Sequence, residues 1–124
     1  MSTFDVADTL VALCRQGRFL ESGDALWSDD VVSVEPFTGD MATLRGREAL
    51  RAKSEWWSGA HEVHAVTVSD PFVCGDSFLV RFTFDLTVKA TGERRVMDEF
   101  GVYDVKDGKI VAERFFVPKS YFGG

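Results

Sequence analysis

The stretch Phe78 to Lys89 restricts the fold more than any other part of the chain. Phe78, Val80, Phe82, Phe84, Leu86 and Val88 alternate with Leu79, Arg81, Thr83, Asp85, Thr87 and Lys89. An apolar set and a mostly polar set therefore point to opposite sides with a period of two, the mark of an extended strand with one face in a core. Such a strand needs partners, and they follow at once. Thr91-Gly92 predicts a turn, Arg94 to Val105 a further strand, Asp107-Gly108 a second turn, and Lys109 to Val117 a last strand before Pro118. On the N-terminal side, Val63 to Phe72 reads as one more strand.

Earlier in the chain the period is helical. Phe4, Val6, Ala7, Leu10, Val11, Leu13 and Cys14 recur at helical spacing between a cap at Ser2 or Thr3 and a stop at Gly17. Phe19 to Trp27 predicts a short second helix, with Gly23 its weak point. Val31 to Glu35 predicts a strand ending at Pro36, which has no amide proton to donate. Gly46 to Trp57 predicts a third helix with Leu50, Lys53, Trp56 and Trp57 on its inner side. Helices followed by hairpin-linked strands predict an α+β fold, with about three N-terminal helices closing one face of a curved antiparallel sheet. A chain of 124 residues, 45% hydrophobic, can bury one core, so residues 1–124 read as a single domain.

Charge and motif content exclude several classes of function. A formal charge of −6, with Lys and Arg scattered among acids, offers no basic face to nucleic acid. No apolar run approaches the roughly 20 residues of a membrane span. Cys14 and Cys74 form no paired framework, and Met1 to Asp8 carries acids where a secretion signal has a basic start, so a cytoplasmic protein is expected. His61 and His64 lack carboxylates at metal-ligand spacing, and no glycine-rich phosphate loop or nucleophile elbow is present. Neither metal nor cofactor is expected, and Cys14 reads as a small core residue.

The element order carries three local signatures: Val34-Glu35-Pro36 ending the first strand, Leu44-Arg45-Gly46-Arg47-Glu48-Ala49-Leu50 opening the third helix, and Asp107-Gly108-Lys109-Ile110-Val111 in the last hairpin. Over nearly its whole length the chain resembles the nuclear-transport-factor-like superfamily with its cystatin-like fold, and within it the SnoaL-like and ketosteroid-isomerase-like branches. In the ketosteroid isomerases a carboxylate after the first strand moves the proton, while a helix-one tyrosine and a protonated sheet aspartate hold the enolate oxygen. The resemblance aligns Glu35 with the base and Asp98 with the sheet acid, and it sets Leu10 where the tyrosine stands. It also implies a homodimer formed through the back of the sheet.

Strand parity points to a different acid. A hairpin centred on Thr91-Gly92 sets Phe84 opposite Glu99 and puts Met97, Glu99, Gly101 and Tyr103 on the aromatic face, turning Asp98 away. A three-residue turn with Gly108 as a bulge then sets Glu99 opposite Phe115 and Gly101 opposite Glu113. With a two-residue turn instead, Glu113 moves to the Asp98 face. Glu99 with Glu113 is the pair favoured by parity, and Asp98 is the alternative favoured by resemblance. Two acids in a dry pocket cannot both ionise cheaply, so one can donate a proton while the other accepts it.

The remaining candidates are Phe82, Phe84, Tyr103, Phe115 and Leu10 as pocket walls, with Trp56 at the pocket mouth or a subunit contact, because adjacent tryptophans point about 100° apart on a helix. His64 is a candidate general base. Asp98, Phe100, Val102, Ile110, Ala112, Arg114 and Phe116 form the predicted outer face, too apolar for plain solvent. These residues and the resemblance predict a pocket for a small, largely apolar organic molecule, acting as an isomerase, cyclase or hydrolase through carboxylate acid-base catalysis. The alternative is a non-catalytic ligand-binding or dimerisation module of the same fold.

Overall fold

A computed structural model describes residues 1–122. Helices α1 (Thr3–Arg15) and α2 (Phe19–Leu26) lead into strand β1 (Trp27–Val34), a short β2 (Thr43–Arg45) and helix α3 (Arg47–Ala60). Strands β3 (His61–Val68), β4 (Phe72–Cys74), β5 (Ser77–Val88), β6 (Glu93–Lys106) and β7 (Lys109–Phe116) follow, with a 3-10 turn at Lys119–Phe122. The capping signal at the N-terminus is realised by Ser2, whose hydroxyl accepts from the Asp5 amide while Asp5 accepts from the Ser2 amide. Among the described residues no helix is long and apolar enough to cross a membrane.

The strands make one curved, open, mostly antiparallel sheet in the order β2-β1-β7-β6-β5-β3, with β4 on β5. The exception is β1, which runs parallel to β7 because the chain crosses the molecule through α3 and β3–β6 before returning to it. The alternating face of β5 is the floor of the core: Phe78, Val80, Phe82, Phe84 and Leu86 are all buried. Helix α1 lays Val6, Ala7, Leu10, Val11 and Cys14 over it. Burying each of the larger side chains contributes about 1.5–3 kcal/mol, so this face outweighs the weak propensity of the short helices.

Several expected boundaries move. The segment Val63 to Phe72 is two strands, β3 ending at Val68 and β4 beginning at Phe72. A short strand not expected from the sequence, Thr43–Arg45, pairs with the edge of β1. The third helix runs on to Ala60.

The hairpin registers also differ from expectation. The β5–β6 turn is the four-residue loop from Lys89 to Gly92, with Val88 opposite Glu93 and the Gly92 amide bonded to the Val88 carbonyl at 2.8 Å. Phe82, rather than Phe84, therefore faces Glu99. A displacement of two residues leaves every side chain on its expected side. The β6–β7 turn has two residues, Asp107 and Gly108, both at positive φ (52° and 74°). That turn alone would have sent Glu113 outward. A bulge between the Val105–Ile110 and Asp104–Ala112 pairs restores the parity, so Tyr103 faces Glu113 and Gly101 faces Phe115. The two-residue turn itself, by pairing Ile110 with buried Val105 ahead of the bulge, turns Ile110, expected outside, into the core at 1% exposure.

Candidate functional site

Between the helices and the sheet a cavity of about 170 Å³ remains open. Helices supply Leu10 and Cys14 from α1, Phe19, Ser22 and Gly23 from α2, and Leu50, Lys53, Ser54 and Trp57 from α3. The sheet side supplies Trp27, Glu35, Phe82, Phe84, Glu99, Tyr103, Ile110, Glu113 and Phe115. Two glycines shape these walls. A Cβ on Gly23 would lie 2.4 Å from the Trp27 indole, and one on Gly101 would lie 2.8 Å from the Tyr103 hydroxyl. Only a bare backbone lets the indole lie against α2 and the phenol ring lie down along β6.

Four charged or acidic side chains meet in this space. Lys53 donates from Nζ to Glu35 Oε1 at 2.8 Å and to Ser33 Oγ at 2.5 Å, and its ammonium stands 5.2 Å from the Phe115 ring centroid. Ser33 is fully buried and lies beside Glu113 in the parallel β1–β7 pair, and Ser33 and the Trp27 side chain both favour the ionised Glu113 carboxylate. The Lys53 ammonium thus bridges the Ser33 hydroxyl and the Glu35 carboxylate, with Glu113 next to Ser33 on the neighbouring strand.

Burial dominates the proton affinities. Glu99 keeps some accessible surface because it borders the cavity, yet protein surrounds it, and its pKa rises to about 7. Burial is the largest cause; the negative charge of Glu35 and then Glu113 add to it, and Lys53 opposes it. Burial also raises Glu113, with Lys53, Ser33 and Trp27 pulling the other way. The Tyr103 phenol is pushed well above its ordinary value by burial and by the acids around it, so it is a hydrogen-bond donor at any working pH. Cys14 rises to about 11, again through burial, and is a thiol rather than a nucleophile.

The structure therefore brings Glu99, Glu113 and Glu35 together with Phe82, Phe84, Tyr103, Phe115 and Leu10 around one cavity. Three expected residues are elsewhere. Asp98 lies on the outer face, accepting from Thr83 at 2.7 Å and paired with Arg81 at 3.2 Å, which holds its carboxyl below the usual range. Trp56 is 67% exposed, because the phase of α3 turns Trp57 inward instead, against Phe84 at 5.2 Å between ring centroids. His64 is the extra residue where the β3–β5 register slips, and it bonds Thr87 at 2.8 Å on the exposed side. Sequence reasoning passed over Lys53, Ser33 and Trp27 as site residues. The available signals were a lysine three residues after Leu50 on an apolar helix face, and Ser33 in phase with Val31 and Glu35. Among the described residues no group of three or more His, Cys, Asp or Glu is placed to hold a metal ion.

The sequence profile of the SnoaL-like domain matches residues 1–117. Among solved structures, a candidate SnoaL-like polyketide cyclase, also labelled carbohydrate phosphatase, from Mesorhizobium loti is 47% identical, with a TM-score of 0.89 over 94% of this chain and 99% of that one. A candidate isomerase from Bacillus subtilis is 21% identical with a TM-score of 0.77, covering 100% of this chain and 97% of that one. A LEH-like epoxide hydrolase from M. tuberculosis is 18% identical with a TM-score of 0.69, covering 94% and 82%. These last two share the fold alone. No curated protein matches the sequence.

Proposed function

We propose that this chain, which belongs to the SnoaL-like domain family, is an acid-base catalyst acting on a small, largely apolar carbonyl compound. The observation that carries this reading is Glu99, enclosed in protein with a pKa of about 7, in one cavity with the Lys53-paired Glu35. Acids whose surroundings separate their proton affinities divide the work of donor and acceptor.

Glu35 serves as the base and Lys53 positions it through the 2.8 Å ion pair. It takes a proton from the carbon next to the carbonyl. The C–H bond breaks, and its electron pair moves through the new C=C bond onto the carbonyl oxygen. Glu99 in its protonated form and the Tyr103 hydroxyl donate hydrogen bonds to that oxygen as its charge grows. Return of the proton to a different carbon gives an isomer. Attack of the enolate carbon on a second carbonyl of the same molecule instead forms a C–C bond, breaks that carbonyl's π bond onto its oxygen, and leaves that oxygen to take the proton held by Glu35, giving a ring. The Mesorhizobium loti relative, a candidate polyketide cyclase, is compatible with the second course.

Deuterium exchange at the α-carbon of small ketones in D2O, followed by NMR, tests the reading. Exchange above the buffer rate is expected, and Glu35→Gln is expected to reduce it by about 10²–10⁴-fold. Exchange undiminished in Glu35→Gln removes the mechanism. No exchange above buffer with the unaltered chain leaves a non-catalytic binding module.

A further inference from the structure

We infer that the cavity is built for a neutral compound of a single ring with at most a short substituent, and not for a fused polycyclic one. This rests on the acid-base reading above for the carbonyl group, and on the cavity itself for the size. An apolar cavity of roughly 150 Å³ accommodates benzene. The cavity here is about 170 Å³, which leaves room for a ring and little more.

The walls resist enlargement. Leu50, Ile110, Phe82, Tyr103 and Phe84 are all 5% exposed or less, and each belongs to a regular helix or strand. Phe84 is held from three sides, by Phe82 at 5.9 Å, Phe19 at 5.7 Å and Trp57 at 5.2 Å between ring centroids. A fused polycycle would have to break these aromatic contacts or push apart strands that share a continuous ladder from Ser77 to Val88.

Neutrality follows from the charges already matched inside. Lys53 is engaged by Glu35 and Ser33, so an anionic ligand would meet the Glu35 carboxylate beside what is, among the described residues, the only ammonium lining the cavity. A carbonyl oxygen, by contrast, accepts from Glu99 and Tyr103 with no ion pair disturbed. Leu10, Leu50, Ile110 and the phenylalanines offer the ring an apolar surface.

Titration calorimetry with the full chain separates these claims by using 2-cyclohexenone, acetophenone, benzoate and a steroid enone as probes. The two small ketones are expected to show saturable binding, with benzoate and the steroid enone at least about tenfold weaker. A steroid enone bound as tightly as 2-cyclohexenone overturns the size limit, benzoate bound as tightly as acetophenone overturns the neutrality, and no saturable binding of either ketone overturns both. Phe82→Ala and Leu10→Ala enlarge the cavity from opposite walls. Each is expected to shift preference towards the bicyclic ketone 1-tetralone, and an unchanged preference in whichever variant folds counts against the inference. The heat signal needs no turnover. A preference for small ketones without deuterium exchange therefore sinks the acid-base reading alone, whereas exchange with a preference for the steroid sinks this inference alone.

Discussion

Replacing Glu99 with Gln tests the physical core of the site without any substrate. Unfolding returns the Glu99 carboxyl from about 7 to its ordinary 4.5. The folded chain therefore binds this proton more tightly than the unfolded chain does. The stability linked to it is fully present below pH 4.5 and is lost as pH rises through 7. A difference of about two and a half pH units corresponds to about 3 kcal/mol, at about 1.4 kcal/mol for each. Glu99→Gln keeps the shape and removes the titration. Urea unfolding of both proteins from pH 4 to 8 should therefore show the unaltered chain losing about 3 kcal/mol relative to the variant, mostly between pH 4.5 and 7. Urea is preferred because an ionic denaturant would screen the Glu35 and Lys53 charges. Most other titrating groups are common to the two proteins and cancel in the difference. Two parallel stability profiles would show that Glu99 meets ordinary solvent, and the proposed division between acid and base would lose its basis.

Lys53→Met should raise the Glu99 pKa further and Glu35→Gln should lower it, since the ammonium opposes and the carboxylate supports the shift; carbon NMR of the Glu99 carboxyl reads both, and movement in the reverse sense contradicts the assigned geometry. Gly101→Ala should destabilise by about 1–3 kcal/mol, because a methyl group 2.8 Å from the buried Tyr103 ring has nowhere to go; the penalty should shrink in a Tyr103→Ala background, and an equal penalty there would refute the packing account. On the outer face, Phe100 and Phe116 are cross-strand partners, 40% and 46% exposed, with Arg81 and Arg114 beside them. A homodimer through this face predicts that Phe100→Glu with Phe116→Glu halves the mass seen in sedimentation, and a monomeric unaltered chain would refute it.

How far the sequence could be read depended on how local each determinant was. The aromatic face of β5 needed only a period of two, and the inward turn of Glu99 survived a mistaken register because the displacement was an even number of residues. Glu113 was legible only by compensation: the turn was one residue shorter than expected, and the bulge beyond it supplied the missing residue. Trp56 and Trp57 could not be told apart from spacing, because the phase of α3 is set by what it packs on. His64 went the same way, its face being decided by a slip between Val63 and Ala65.

The sequence by itself determined the α+β architecture and the apolar and polar sides of its strands, since a hydrophobic period follows from backbone geometry one residue at a time. It also supplied the inventory of acids. Tertiary structure alone decided which of those acids share a cavity. Lys53 reaches Glu35 and Ser33 only because α3 crosses over β1, and Tyr103 lies flat only because Gly101 yields space beneath it. Proton affinity in the interior depends on the atoms that replace water around a group, and those atoms come from segments far apart in the chain.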